Sequence, residues 1–260
     1  MRVVSLTADV LVATSREWQT NCTAIRSGEE GFVIDSPIFP DELEVLPSVL
    51  EQAGFPVSGL LATHGDWDHV LGRLAFQGAA LGVAETTAAH LTGEPGAAQR
   101  ELRAWDEEHY VERGPLSLGQ VQALPVPGHV GLGEHELELH PTDGHTADGM
   151  AVWAPWERVL VCGDYLSPVE IPMLSPGGSR DAYLATLRRL EPLVDAAAYV
   201  VPGHGDVLEG ARAAAILRED VNYLAKLPDG ELPMARRSPA QRAIHAANLE
   251  RWTSSRPPGS

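Results

Sequence analysis

The chain has 260 residues, 44% hydrophobic and 21% charged, which is enough apolar side chain for a sizeable globular core. With 36 Asp+Glu against 19 Lys+Arg its formal net charge is −17, so nucleic acid and anionic membranes would be repelled, and neither is expected as a partner. The two cysteines, Cys22 and Cys162, exclude a disulfide framework and a CxxC site, and the single lysine, Lys226, all but excludes Schiff-base chemistry.

Residues 3–13 are apolar but broken by Asp9 and lack a basic leader, which reads as strand rather than export signal. No apolar run approaches a membrane span, and a cytoplasmic protein is the expectation. Short β-rich runs at 3–6, 10–13, 23–26 and 32–34 are separated by turn residues such as Gly28 and Gly31. A helix is predicted over 41–53, with Asp41 as its cap, Leu43, Leu46, Val49 and Leu50 at helical spacing, and Gly54 closing it. The apolar strand 57–62 then runs into Thr63-His64-Gly65-Asp66-Trp67-Asp68-His69.

Residues 92–118 are charge-rich, with Trp105, His109 and Tyr110 among the polar side chains. They read as an insertion that either covers a site or forms a solvent-facing helix pair. Strands follow at 121–126, 136–140, 150–153 and 159–162. A helix is predicted over 180–194, with Tyr183, Leu184, Leu187 and Leu190 on one face. The strand 199–201 delivers Pro202-Gly203-His204-Gly205, and helices are expected over 209–227 and 240–252. Residues 1–253 read as a single domain with a polar, Pro-rich, disordered tail at 254–260. The final fifty residues are net basic, unlike the acidic body.

Chemistry-bearing residues stand at the ends of these strands, where α/β proteins place their sites. His64, Asp66, Asp68 and His69 fall within six residues, and a tight loop would aim all four inward. Asp143-Gly144-His145-Thr146, Gly163-Asp164 and Gly203-His204 each follow a strand. Carboxylates and imidazoles crowded together lose hydration or repel, and a bound divalent cation removes that conflict.

The ordered set closely resembles the metallo-β-lactamase superfamily over about residues 20–210: an HxHxDH-like loop, then GHT, GD and PGHG steps. The resemblance implies an α/β fold, a four-layer αββα sandwich of two mixed sheets flanked by helices. It also implies two divalent ions, zinc above all. His64, Asp66 and His145 would hold one, Asp68, His69 and His204 the other, and Asp164 would bridge them. The implied activity is hydrolysis of a small ester, thioester, lactone or lactam by a metal-bridging hydroxide, with Asp68 as ligand and catalytic orienting group. Pro127-Gly128-His129 imitates one step, but Val130 follows it where His145 is followed by Thr146, so His129 is read as a loop histidine outside the centre. His90, His109, His135, His140 and His245 are read as surface or packing residues.

One position departs from the pattern: Asp66 stands where the family has histidine. Three carboxylates against two divalent ions leave one positive charge, which a hydroxide neutralises, so the site acidifies water less and favours iron or manganese more. An acid there is similar to flavodiiron proteins, which makes a di-iron or mononuclear-iron redox enzyme the first alternative. The segment after His204 is too short for their flavodoxin-like domain. A non-enzymatic metal-binding protein on the same fold is the second alternative. Trp67, Tyr165, Ile171 and Met173 are candidate substrate contacts, with a brace for its loop the preferred reading of Trp67.

Overall fold

The computed structural model describes residues 1–254. One mixed sheet runs in chain order through β1 (Arg2–Ser5), β2 (Val10–Thr14), β3 (Asn21–Ser27), β4 (Glu30–Ile34), β5 (Gly59–Leu61), β6 (Leu81–Ala84) and β7 (Val121–Leu124). Its first four strands are antiparallel neighbours, and from β4 onward the pairing is parallel. The second sheet contains β8 (Gly128–Leu132), β9 (His135–Pro141), β10 (Met150–Ala154), β11 (Val159–Val161), β12 (Tyr199–Val201) and β13 (Leu208–Glu209). Its spatial order is β13-β12-β11-β10-β9-β8, and β11–β12 is its parallel pair.

The strand residues alternate between two destinations, as a pleated backbone requires. Val10, Val12, Ile25, Ile34 and Leu61 of the first sheet meet Met150, Val152, Val159, Val161 and Val201 of the second in the inter-sheet core. The intervening Leu11, Ala13, Ala24 and Val33 point outward. They are covered by α1 (Pro40–Gln52) and α4 (Ala97–His109), which contribute Leu43, Leu46, Leu50, Leu102 and Trp105. Ala151, Leu160 and Val200 pack outward against α5 (Arg180–Ala196) and α6 (Gly210–Lys226) through Leu187, Leu190, Ile216 and Leu224. The result is the four-layer αββα sandwich, completed among the described residues by α2 (Gly72–Ala75), α3 (Glu85–Gly93) and α7 (Pro239–Ser254).

Several local expectations are corrected. Asp41 is not the cap of α1: Pro40 opens the helix after Phe39, and the Glu42 carboxylate accepts the Phe39 N–H (3.2 Å). Asp41 pairs instead with Arg16. β6 and α3 are not among the expected elements: the Leu-Gly-Val-Ala of β6 has a single β-branched residue and a glycine in its middle, which weakens the strand signal. His129 lies not in a loop but on β8, exposed, in a hairpin whose two-residue turn starts at Gly133 (φ +58°). Beyond Ser254, the expected tail lies outside the described residues.

At one end of the sandwich, the C-terminal ends of β4, β5, β11 and β12 and the β9–β10 connection come together. Every ligand-type residue noted in the sequence leaves from one of these places.

Candidate metal centre

β5 runs on into a bend over 63–66, and after an extended Asp66 (φ −66°, ψ 143°) Trp67–His69 forms one turn of 3-10 helix, closed by the His69 N–H on the Asp66 carbonyl (3.1 Å). The turn swings Asp68 and His69, adjacent in sequence, toward one centre. Asn21 clamps the loop bearing His204: its side-chain amide donates to the carbonyls of Pro202 (2.9 Å) and Gly205 (2.8 Å). Gly203 has no substitute there, since a Cβ would strike the Asp164 carboxylate. Gly144, at φ +129°, lets the His145 loop lie against the α5 backbone at Tyr183.

Two clusters share Asp164. In the first, Asp66 Oδ2 lies 3.5 Å from His64 Nε2 and 3.4 Å from His145 Nε2, and Asp164 Oδ2 is 3.3 Å from His145 Nε2. In the second, Asp68 Oδ2 lies 3.4 Å from His69 Nε2 and 3.5 Å from His204 Nε2. Asp164 Oδ1 is 3.2 Å and 3.3 Å from those same nitrogens. Two ligands about 2.1 Å from one tetrahedral ion are themselves about 3.4 Å apart, so both clusters have the spacing of shared coordination.

The opposite ring nitrogen of each histidine is tied to the protein. His69 Nδ1 faces Asp35 Oδ2 (3.0 Å), and His145 Nδ1 faces the Met173 carbonyl (2.9 Å). His204 Nδ1 faces the Trp18 carbonyl (3.2 Å), and His64 Nδ1 faces Thr63 Oγ1 (3.1 Å), whose own proton goes to Asp35 (2.9 Å). An acceptor at each Nδ1 holds the proton there and leaves four Nε2 lone pairs pointing inward.

These groups fit a cation. His64 Nε2, His69 Nε2 and Asp164 Oδ1 are buried without a hydrogen-bond partner, which is costly unless something positive sits among them. Without a metal, protons take that place. Burial opposes charge on His145, but its hydrogen bond to Asp66 and the Asp164 carboxylate raise it to about 9. Burial likewise opposes charge on His204, which Glu170 and Asp164 raise to about 10. Burial works against Asp66 ionising too, yet His64 and His145 hold its carboxyl well below the usual range.

The structure thus brings His64, Asp66, Asp68, His69, His145, Asp164 and His204 to one place. The candidate substrate contacts are placed otherwise. Trp67 is buried against Trp18 and Trp105 (ring centroids 5.5 and 5.3 Å), bracing its loop. Tyr165 is buried with its hydroxyl accepting the His145 N–H (3.0 Å). Ile171 and Met173 line a small void with His145, Asp164, Glu170 and Tyr183. The open cleft lies on the Asp66 side, about 660 Å³, and its wall includes His90, Glu94, Glu101, Thr146, Asp148 and Pro176. His90, read from sequence as bland, reaches Asp148 through Nδ1 (3.0 Å), and the other Asp148 oxygen accepts the Gly65 N–H (3.1 Å). Asp35, Asp148 and Glu170 carry no motif signature. Only the acid directly after the apolar run of β4 could have drawn attention to Asp35.

A family model described as the metallo-beta-lactamase superfamily matches residues 15–204, a span that takes in all seven converging residues. The chain belongs to the metallo-beta-lactamase superfamily. That superfamily consists mostly of hydrolases that bind divalent metal ions, typically zinc. Among its members, the metallo-beta-lactamase type 2 of Bacteroides fragilis is 30% identical over 109 residues, 38% of this chain and 44% of that protein. The match therefore spans less than half of that relative's length. Solved superfamily structures share the fold. A metallo-beta-lactamase family protein from Thermus thermophilus has a TM-score of 0.69 at 18% identity, covering 96% of this chain and 95% of its own. The metallo-beta-lactamase from Pontibacter korlensis has 0.59 at 20%, covering 84% and 98%. The sec-alkylsulfatase Pisa1 from Pseudomonas sp. has 0.69 at 16%, covering 99% of this chain and 46% of its own.

Proposed function

We propose that the protein is a binuclear metal-dependent hydrolase of a small ester, thioester, lactone or lactam, acting in the cytoplasm with residues 1–253 as one catalytic unit. The observation that carries this reading is the convergence of four Nε2 atoms whose Nδ1 partners are all protein acceptors, around a carboxylate that faces both clusters. His64, Asp66 and His145 would hold one ion, Asp68, His69 and His204 the other, with Asp164 between them. When bound, such ions polarise a carbonyl and make water a nucleophile near neutral pH.

The chain's own residues do the rest. Asp68 is fixed by the 3-10 turn and points into the second cluster, where it orients the attacking group. Asp35, Met173, Trp18 and Thr63 keep the imidazoles from turning. Trp105 of α4 packs on Trp67, so part of the 92–118 segment covers the ligand loop, and α3 and α4 wall the substrate cleft.

Metal analysis of protein prepared without added metal, followed by a hydrolysis panel, tests the reading. Two ions per chain and turnover that His145→Ala abolishes are expected; a folded protein with neither overturns it. Asp66 favours a second reading, an iron redox enzyme. Iron at purification, a redox-dependent absorption band and no hydrolysis would select that reading.

A further inference from the structure

Glu170 sits on the loop that follows the Asp164 strand. Its carboxylate lies within 4.8 Å of the ligand atoms of Asp164 and His204. The loop is built to keep it there. Ser167 Oγ donates to the His204 carbonyl (2.9 Å) and accepts the backbone N–H groups of Val169 (3.2 Å) and Glu170 (3.0 Å). From the other side the buried Arg236 donates to the carbonyls of Glu170 (3.0 Å) and Ser167 (3.3 Å), and Gln241 donates to the carbonyl of Val169 (2.6 Å).

In the metal-free protein the His204 and His145 imidazoles are the cations that face the Glu170 carboxylate, and no ion pair joins it to an arginine or lysine among the described residues. Arg236, whose guanidinium holds the carbonyls of this loop, is committed to Asp220 (2.6 Å) and Glu219 (3.2 Å). Glu170 therefore adds a fourth carboxylate to Asp66, Asp68 and Asp164. Asp164, which Glu170 approaches, carries a buried, unpartnered Oδ1 that lies 3.2 Å from the equally unpartnered His69 Nε2. Four acids packed around orphaned lone pairs need protons or cations among them, and divalent ions supply that charge without protonating the ligands.

Resting on the metal-centre reading above, we infer that Glu170 is a fifth protein ligand to the ion held by Asp68, His69, Asp164 and His204, and that it makes this position selective for hard divalent ions such as Mn²⁺ or Fe²⁺. The donor set becomes three oxygens and two nitrogens, where carboxylate-rich coordination favours manganese and iron relative to zinc. With Glu170 included, the carboxylate charge equals that of two divalent ions. Five protein ligands also leave fewer open positions for water and substrate than four would.

The test uses the full chain, stripped of metal and reloaded with equimolar Mn²⁺ and Zn²⁺, comparing wild type, Glu170→Gln and His204→Ala by elemental analysis. Cobalt-substituted spectra of wild type and Glu170→Gln are recorded alongside. Wild type is expected to retain two ions, manganese among them, with weak cobalt bands at the second position. Glu170→Gln should lower the bound Mn:Zn ratio by about tenfold or more and intensify the cobalt bands, as a four-coordinate site does. An unchanged ratio and unchanged spectra in Glu170→Gln, with one ion lost in His204→Ala, would remove Glu170 from the coordination sphere and leave the metal centre standing. Intense four-coordinate cobalt bands at both positions of the wild type would do the same even if Glu170→Gln did not fold. A folded wild type that takes up neither ion overturns both readings.

Discussion

His69 Nδ1 lies 3.0 Å from Asp35 Oδ2, and that one carboxylate also accepts the backbone N–H (2.8 Å) and hydroxyl (2.9 Å) of Thr63. Asp35 therefore stands behind both clusters at once: it orients His69 directly, and His64 through Thr63. Its φ of +60° turns it back across the end of β4 to reach them. Asp35→Asn is expected to weaken metal binding by about 10–100-fold. Titration of the metal-free protein with a chelator-buffered ion measures this. Affinity equal to wild type would mean that the imidazoles orient themselves.

Metal uptake is expected to depend on pH with a defined sign. In the metal-free protein His145 and His204 titrate at about 9 and about 10, so at neutral pH both carry protons that an ion must displace. Apparent affinity should climb as pH rises toward 9 and level off above about 10. Calorimetry in buffers of different ionisation enthalpy should register proton release at pH 7. The raised values also stabilise the metal-free fold below the unfolded imidazole value, about 6.5, a contribution lost as pH rises through 9 to 10. Bound metal should abolish that loss.

Asp66→His removes one negative charge and one oxygen donor from the first cluster. Its bound Mn:Zn and Fe:Zn ratios should fall relative to wild type, as elemental analysis after competitive loading would show. Ratios that stay the same would mean that metal choice is set elsewhere in the centre.

Arg236 is fully buried and pairs with the equally buried Asp220 at 2.6 Å. Arg236→Leu strands that carboxylate and should cost about 3–5 kcal/mol, read by denaturant unfolding. The double variant Arg236→Leu/Asp220→Leu should recover most of the loss. A single variant as stable as wild type would show the pair to be unimportant.

The cleft beside Asp66 carries Glu94 and Glu101 and, among its described lining residues, no arginine or lysine. Burial and the nearby Asp66 raise the Glu101 carboxyl, a mark of crowded negative charge. Neutral or cationic substrates should show lower KM than matched anionic ones, and Glu101→Gln should narrow that gap by several-fold at low salt. Equal KM values across the charge series would put the substrate elsewhere.

Much of the fold is legible in the chain because strand and helix periods are local. The runs at 10–13, 23–26 and 199–201 are legible as short apolar, β-branched stretches between turn residues, and Tyr183, Leu187 and Leu190 report one helix face. β6, a Leu-Gly-Val-Ala stretch with a single β-branched residue, has no such run to read.

The sequence by itself determined which ligand-type residues stand together and where they leave the sheets. His64, Asp66, Asp68, His69, His145, Asp164 and His204 all follow strands or tight glycine turns, a pattern written within a few residues each time. Tertiary structure decided what surrounds them. Asp35 meets His69, Trp18 meets His204, Asp148 meets Gly65 and His90, and Glu170 faces Asp164 and His204. Most of these pairs join separate elements. Their encounter depends on sheet register, loop dihedrals and the stacking of two sheets, which no local stretch of sequence encodes.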